Sequence, residues 1–252
     1  MIPFAAVNIF KPEGSRVALV MPTKPRYFDP KFYYHIYNCG VEKRTVFVTK
    51  RDYQRFLETI EFYLYEQRIS YAQFQDLNVE ARQLYSRLNP KGLETLRVRL
   101  VCYCLMPNHF HFLLKPVRED SITRFVSDIS NSYTRYFNIK NERIGNLFQG
   151  TFKSKEISSE ESLLQVARYI DLNPVNSSKT NPDGTLKPED YPFSSYGNWI
   201  TAPFLDPKGL EIDYEEALGL VKLAGGANRY KEFVEAKLKK DARLGIEDLV
   251  IE

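Results

Sequence analysis

His109 and His111 stand two residues apart in MPNHFHFLLKP, a run of β-forming residues that follows a Pro-Asn turn. Residues i and i+2 of a strand share a face. The two imidazoles therefore lie side by side, while Phe110 and Phe112 point into the core. Neutral imidazoles at that spacing can share one metal ion. The same spacing also suits two polar residues on the open face of a strand. They are two of the three histidines in the chain. Cys102 and Cys104 lie on the preceding strand and have no matching second pair, so a zinc-finger pattern is not formed. A second set of residues sits in ARYIDLNP, where Tyr169 and Asn173 are four apart and share a helix face. At about 100° per residue, that face points roughly 110° away from the Leu163, Ala167, Ile170 and Pro174 stripe. A tyrosine hydroxyl that reaches a polar cleft can serve as a nucleophile, and Asn173 can lend a side-chain oxygen to a metal site. A tyrosine there can equally pack at the core edge. Tyr133 and Tyr136 are rivals on the preceding helix, although Tyr133 falls in line with Phe125 and Ile129 and reads as core.

The elements that carry these residues follow from periodicity. Residues 32–48 are aromatic and β-branched and read as a strand broken near Gly40. Arg51 to Gln67 places Phe56, Ile60, Tyr63 and Leu64 on one helical stripe, with Thr49 or Asp52 near its start. Residues 68 to 95 read as a polar insertion with a helical ARQLYSRL segment and a Pro90-Lys91-Gly92 turn. Leu96 to Pro116 reads as a hairpin turning at Met106-Pro107-Asn108. A helix over 121–138 with Ser121 as its cap is followed by a short extended segment over 146–157. The tyrosine helix then runs over 159–173, capped by Ser159, with Glu160 and Glu161 favouring its N-terminal dipole and Pro174 at its end. A mostly helical tail spans about 214–240, interrupted at Gly225-Gly226. Strands joined as hairpins and interleaved with helices imply an α+β fold, an antiparallel sheet with helices packed on one face. The domains are expected to be an arm over 1–28, a central domain over 29–200 and a helical extension over 201–252.

The 252-residue chain, with 43% apolar residues and 17 Phe and 17 Tyr, can bury a sizeable core and is not a disordered chain. No apolar run is long enough to cross a membrane, and the N-terminus makes a poor signal peptide. Three cysteines do not form a disulfide framework, and a reducing, cytoplasmic setting is the simplest expectation. A net charge of +3 says little by itself. Its distribution says more. Between Arg135 and Lys155, five basic residues (including Arg143, Lys153 and Lys155) stand against Glu142 alone, a local +4. A solvated basic face without a partner is the ordinary alternative.

Several stretches together resemble one family. MPNHFHFLLKP is similar to the His-hydrophobic-His signature of the single-tyrosine HUH transposases. ARYIDLNPVNSS resembles the tyrosine helix of their REP-associated tyrosine transposase branch, where Tyr-Ile-x-x-Asn-Pro is characteristic. SYTRYFNIKNERIGNLFQGTFKS resembles that branch's Tyr-Phe-Asn … Leu-Trp-Gln-Gly-Arg-Phe-Lys segment, with Phe148 and Thr151 in place of its Trp and Arg. YPFSSYGNW and YYHIYNCGVEKRTVF resemble its Tyr-Pro-Trp-Ser-Ser-Tyr stretch and its first strand. The likeness runs in order over roughly residues 30–200.

The resemblance implies a ferredoxin-like or RRM-like sheet and metal-dependent cleavage and rejoining of single-stranded, hairpin-bearing DNA. It makes His109, His111 and Asn173 ligands of Mg²⁺ or Mn²⁺, and Tyr169 the nucleophile that forms a 5′-phosphotyrosine link. It also implies a homodimer and no membrane partner. Arg143, Lys153, Lys155 and Arg168 are then candidates to grip the DNA backbone. Two other functions fit the same residues: a nucleic-acid-binding module without catalysis, and a metal-dependent phosphodiesterase that uses water while Tyr169 only packs.

Overall fold

The computed structural model describes residues 26–177, 180–181, 185–200 and 213–236. Four strands, β1 (Tyr33–Cys39), β2 (Val98–Met106), β3 (His109–Pro116) and β4 (Lys153–Ile157), form one antiparallel sheet in the order β2-β3-β1-β4. The helices are α1 (Lys50–Tyr63), α2 (Tyr71–Asp76), α3 (Val79–Leu88), α4 (Ser121–Lys140), α5 (Glu160–Asn176), α6 (Tyr196–Ile200), α7 (Tyr214–Leu223) and α8 (Ala227–Glu235). The expected α+β class and antiparallel sheet are present. Of the arm expected over 1–28, only residues 26–28 are described; there Phe28 is buried against Tyr34 and Phe152. No helix among the described residues is long and apolar enough to cross a membrane.

One face of the sheet is apolar by alternation. Phe110 and Phe112 of β3 are fully buried, as are Ile36 of β1 and Leu105 of β2. α1 and α4 cover this face and form the helical layer that the sequence predicts. Phe56 of α1 sits at its centre, with ring centroids 5.6 Å from Phe110, 4.9 Å from Tyr133 and 5.1 Å from Phe47. Tyr133 is core, as its spacing implied, and its hydroxyl donates to the Val46 carbonyl at 2.6 Å. A second helical layer was not part of the sequence-based expectation. α5 packs over the opposite face against β2 and β3, and α7 and α8 pack on α5.

Other boundaries move for local reasons. The first strand ends at Cys39 rather than continuing to residue 48. A Cβ on Gly40 would come within 2.5 Å of the Arg44 carbonyl oxygen, so the chain folds tightly there and only glycine fits. The returning segment then braces the β2–β3 turn, with the Val46 and Phe47 amides donating to the Pro107 carbonyl at 2.7 and 3.0 Å. Thr49 caps α1 through a capping box with Asp52. Asp120, not Ser121, holds the cap position of α4, and the Ser121 hydroxyl donates to the Arg118 carbonyl at 2.7 Å. α5 is capped by Ser159 as expected, but it continues past Pro174 to Asn176. The proline removes one amide in the final turn, where little helix remains to be disrupted.

The YPFSS segment closes the outer edge of β2. The Leu105 amide donates to the Phe193 carbonyl at 2.9 Å, and the Ser195 amide to the Tyr103 carbonyl at 3.0 Å. Further along, the Asp213 amide donates to the Leu100 carbonyl at 2.7 Å.

Candidate active site

β3 sends His109 and His111 to the face opposite Phe110 and Phe112. In the register, Tyr37 stands opposite His111 and Cys39 opposite His109. Lys153 stands opposite Tyr37, and Lys155 opposite His35. All of these side chains therefore share one face. α5 lies across it and brings Tyr169 in. The Tyr169 ring meets the His111 ring in a T-shaped contact at 5.4 Å, and the His35 ring in another at 5.8 Å. The His109 and His111 rings are 4.9 Å apart and nearly perpendicular. The tyrosine and both histidines are thus assembled within a single chain.

His35, the third histidine, had no role in the sequence analysis. It is 1% exposed, and its Nε2 lies 2.9 Å from Nδ1 of His111. One proton is shared between these two nitrogens. When His111 donates from Nδ1, its Nε2 keeps the lone pair that a metal needs. His109 is set in the same sense. Its Nδ1 lies 2.8 Å from Oδ1 of Asn108, an oxygen that can only accept, so the neutral ring carries its lone pair on Nε2. Burial holds the His111 pKa well below the usual histidine value, and the charges of His109 and His35 push it the same way. His111 is therefore a neutral imidazole at pH 7, the form that ligates a metal.

The remaining donors on this face are sparse. Cys102 and Cys104 are buried, and burial pushes both thiols well above their ordinary range, so neither offers a thiolate. No group of three or more His, Cys, Asp or Glu among the described residues forms a metal cluster. Nδ2 of Asn173 donates to the Tyr169 carbonyl at 3.1 Å within α5. Two imidazoles, with an amide oxygen and water to complete the shell, suit a divalent ion that keeps part of its hydration.

The basic residues divide. Lys153 and Lys155 are exposed on the edge strand, on the histidine face, with Lys153 Nζ 5.8 Å from the Tyr37 ring centroid. Arg143 lies beyond α4, where its Nη1 donates to Asn138 Oδ1 at 2.9 Å, and no contact brings it to the histidines. Arg168 is drawn to α8. Its guanidinium stacks over Phe233 at 4.1 Å and donates to the Phe233 carbonyl at 3.3 Å.

Residues 73–173 match the family model for IS200-like transposases. The match covers less than half of the chain. The matched segment contains the histidine hairpin, α4, β4 and the tyrosine helix through Asn173, and excludes β1 with His35 and all of α1. No curated protein matches the chain significantly. Among solved structures the chain is similar to a REP-associated tyrosine transposase bound to a REP hairpin, at 13% identity and a TM-score of 0.45, over 77% of this chain and 98% of that chain. A likeness of that size decides nothing about chemistry.

On α5 itself, Asp171 is fully buried and accepts the Tyr230 hydroxyl at 2.6 Å, while its Oδ1 has no hydrogen-bond partner among the described residues. Burial raises its pKa to about 7, against the lowering effect of the Tyr230 hydrogen bond. The neighbouring Cys102, Cys104, Tyr196 and Tyr230 add no positive charge. A carboxyl whose folded pKa lies above its unfolded value near 4 binds its proton more tightly when folded. Stability linked to it is full below pH 4 and falls as pH rises towards 7. His111 titrates in the opposite sense, so the wild-type profile mixes the two. Relative to wild type, Asp171→Asn is expected to gain about 2–3 kcal/mol between pH 5 and pH 8. Urea unfolding at both pH values measures this, and an unchanged difference between the two proteins would exclude a titrating Asp171.

Proposed function

We propose that the protein cuts and rejoins single-stranded DNA, bearing hairpins at its ends, by transesterification at Tyr169. The observation that carries this reading is the T-shaped contact of Tyr169 with His111 inside one chain, on the face that also presents His109. The Tyr169 oxygen bonds to phosphorus as the bond from phosphorus to the 3′-oxygen breaks. The phenolic proton passes to water, and the departing 3′-oxygen takes up a proton to become a hydroxyl. The phosphate diester is retained as a 5′-phosphotyrosine link, so the strand can be rejoined without a nucleotide cofactor. His109 and His111 would hold a Mg²⁺ or Mn²⁺ ion, with Asn173 as the third protein ligand. Bound there, the ion supplies Lewis-acid stabilisation of charge on the scissile phosphate. His35 fixes the ring of His111. Lys153 and Lys155 meet the backbone of the strand along the β4 edge.

The test uses hairpin-bearing single-stranded DNA labelled at its 3′ end, with and without Mn²⁺, run on a denaturing gel. A metal-dependent band of protein joined to labelled DNA, absent from Tyr169→Phe, is the expected result. Cleavage by Tyr169→Phe at the wild-type rate would replace this reading with a water-using phosphodiesterase. DNA binding without cleavage or metal dependence would leave a recognition module.

A further inference from the structure

On the far side of the sheet from the histidines, α1, α2 and α4 line a half-open cavity of about 520 Å³. Its lining holds Arg51, Arg55, Arg135 and Lys140 against a single acid, Asp128. Arg55 is the unusual member. It is 5% exposed, yet among the described residues no carboxylate contacts its guanidinium and its Nε has no hydrogen-bond partner. Its Nη1 donates to Gln75, and the rings of Tyr71 and Tyr136 lie 4.2 and 5.3 Å from its central carbon.

Nearby acids are committed elsewhere. Asp52 accepts from Lys140 at 2.6 Å and from the Tyr136 hydroxyl at 3.0 Å. Glu58 accepts from Arg51 and from the Tyr71 hydroxyl, each at 3.0 Å. Asp128 is paired with Arg97 at 2.5 Å. A buried cation without a counter-charge is costly, and two tyrosine rings offset only part of that cost. An unpaired guanidinium lining a basic cavity is arranged for an anion that arrives from outside. The fork of an arginine suits the oxygens of a phosphate.

We propose that this cavity is a phosphate-binding site centred on Arg55, with Arg135 at its rim and α2, from the segment read as an insertion, as one wall. The phosphate is either a diester of the DNA on which the enzyme acts or a free phosphate. The first source rests on the proposed DNA chemistry, and the second does not.

Two variants test the site. Arg55→Leu removes the buried cation, and Arg135→Gln changes an exposed side chain that no hydrogen bond or ion pair holds among the described residues. The first measurement is the melting midpoint in inorganic phosphate against chloride at equal ionic strength. Wild type is expected to melt several degrees higher in phosphate, and both variants to lose most of that shift. Tyr169→Phe should keep it, which separates failure of this site from failure of the strand-transfer reading.

The second measurement is anisotropy of labelled hairpin DNA across a salt series. If the DNA supplies the phosphate, each variant weakens binding by about three- to tenfold and flattens the slope of log affinity against log salt by about one. Loss of the phosphate shift with DNA binding unchanged would assign the site to free phosphate. A melting shift equal in all proteins, or absent from wild type together with unchanged DNA binding in the variants, would overturn the proposal.

Discussion

His111→Ala is expected to lower metal-dependent DNA cleavage by about 10²–10³-fold or more while leaving salt-dependent DNA binding in place. The side chain is 5% exposed, touches Tyr169 and shares a proton with His35. Its removal takes away one ligand and the support of the tyrosine ring at once. It also removes the hydrogen bond to the buried His35, which costs about 0.5–1.5 kcal/mol of stability, so unfolding is measured alongside activity. His109→Ala should be nearly as damaging, because two ligands of one ion act as a unit. The double variant should then be scarcely worse than either single one. Losses that multiply in the double variant would mean that the two histidines act independently. Full activity in His111→Ala would remove it from the chemistry altogether.

Phe56→Ala is expected to destabilise the fold by about 3–5 kcal/mol, a large share of the roughly 5–15 kcal/mol that holds a domain together. Phe56 is fully buried and contacts Phe47, Phe110, Phe112, Tyr133 and Phe148. It therefore joins α1, α4 and the back of the strand that carries the histidines. The urea midpoint should fall with little change in slope. A loss below about 1 kcal/mol would mean that the layer collapses around the missing ring. Cleavage measured well below the new midpoint should remain within severalfold of wild type, since the ring lies behind the sheet from Tyr169.

What the sequence made legible follows from periodicity and end signals. The β2–β3 hairpin turns at the residues expected, α5 begins at its serine cap, and α7 and α8 break at the two glycines. Alternation placed His109 and His111 on one face because that inference needs only one strand. His35 was missed because its value depends on β1 pairing with β3, and no local pattern records which strands become neighbours. Its alternation with Tyr37 and Cys39 was visible, but the partner was not. The same limit hid the second helical layer, since the stripe of α5 says that it packs, not on which face. Arg168 looked like a free cation on a helix, and its ring partner Phe233 lies 65 residues away. Of the residues offered for the site, the fold brings Tyr169, His109 and His111 to one face with Lys153 and Lys155.

The closed edge of β2 has a bearing on self-association. Backbone groups of Leu100, Tyr103 and Leu105 are already satisfied by Asp213, Ser195 and Phe193 of the same chain. A second copy that sought to lengthen the sheet by adding a strand would find that side filled. Among the described strands only β4 would be left to receive it, and there Lys153 and Lys155 face outwards from an exposed strand. Two such rims brought together in antiparallel fashion would set lysines near lysines, which disfavours the union unless a polyanion lies between them. Assembly by strand addition would therefore depend on what each copy is carrying.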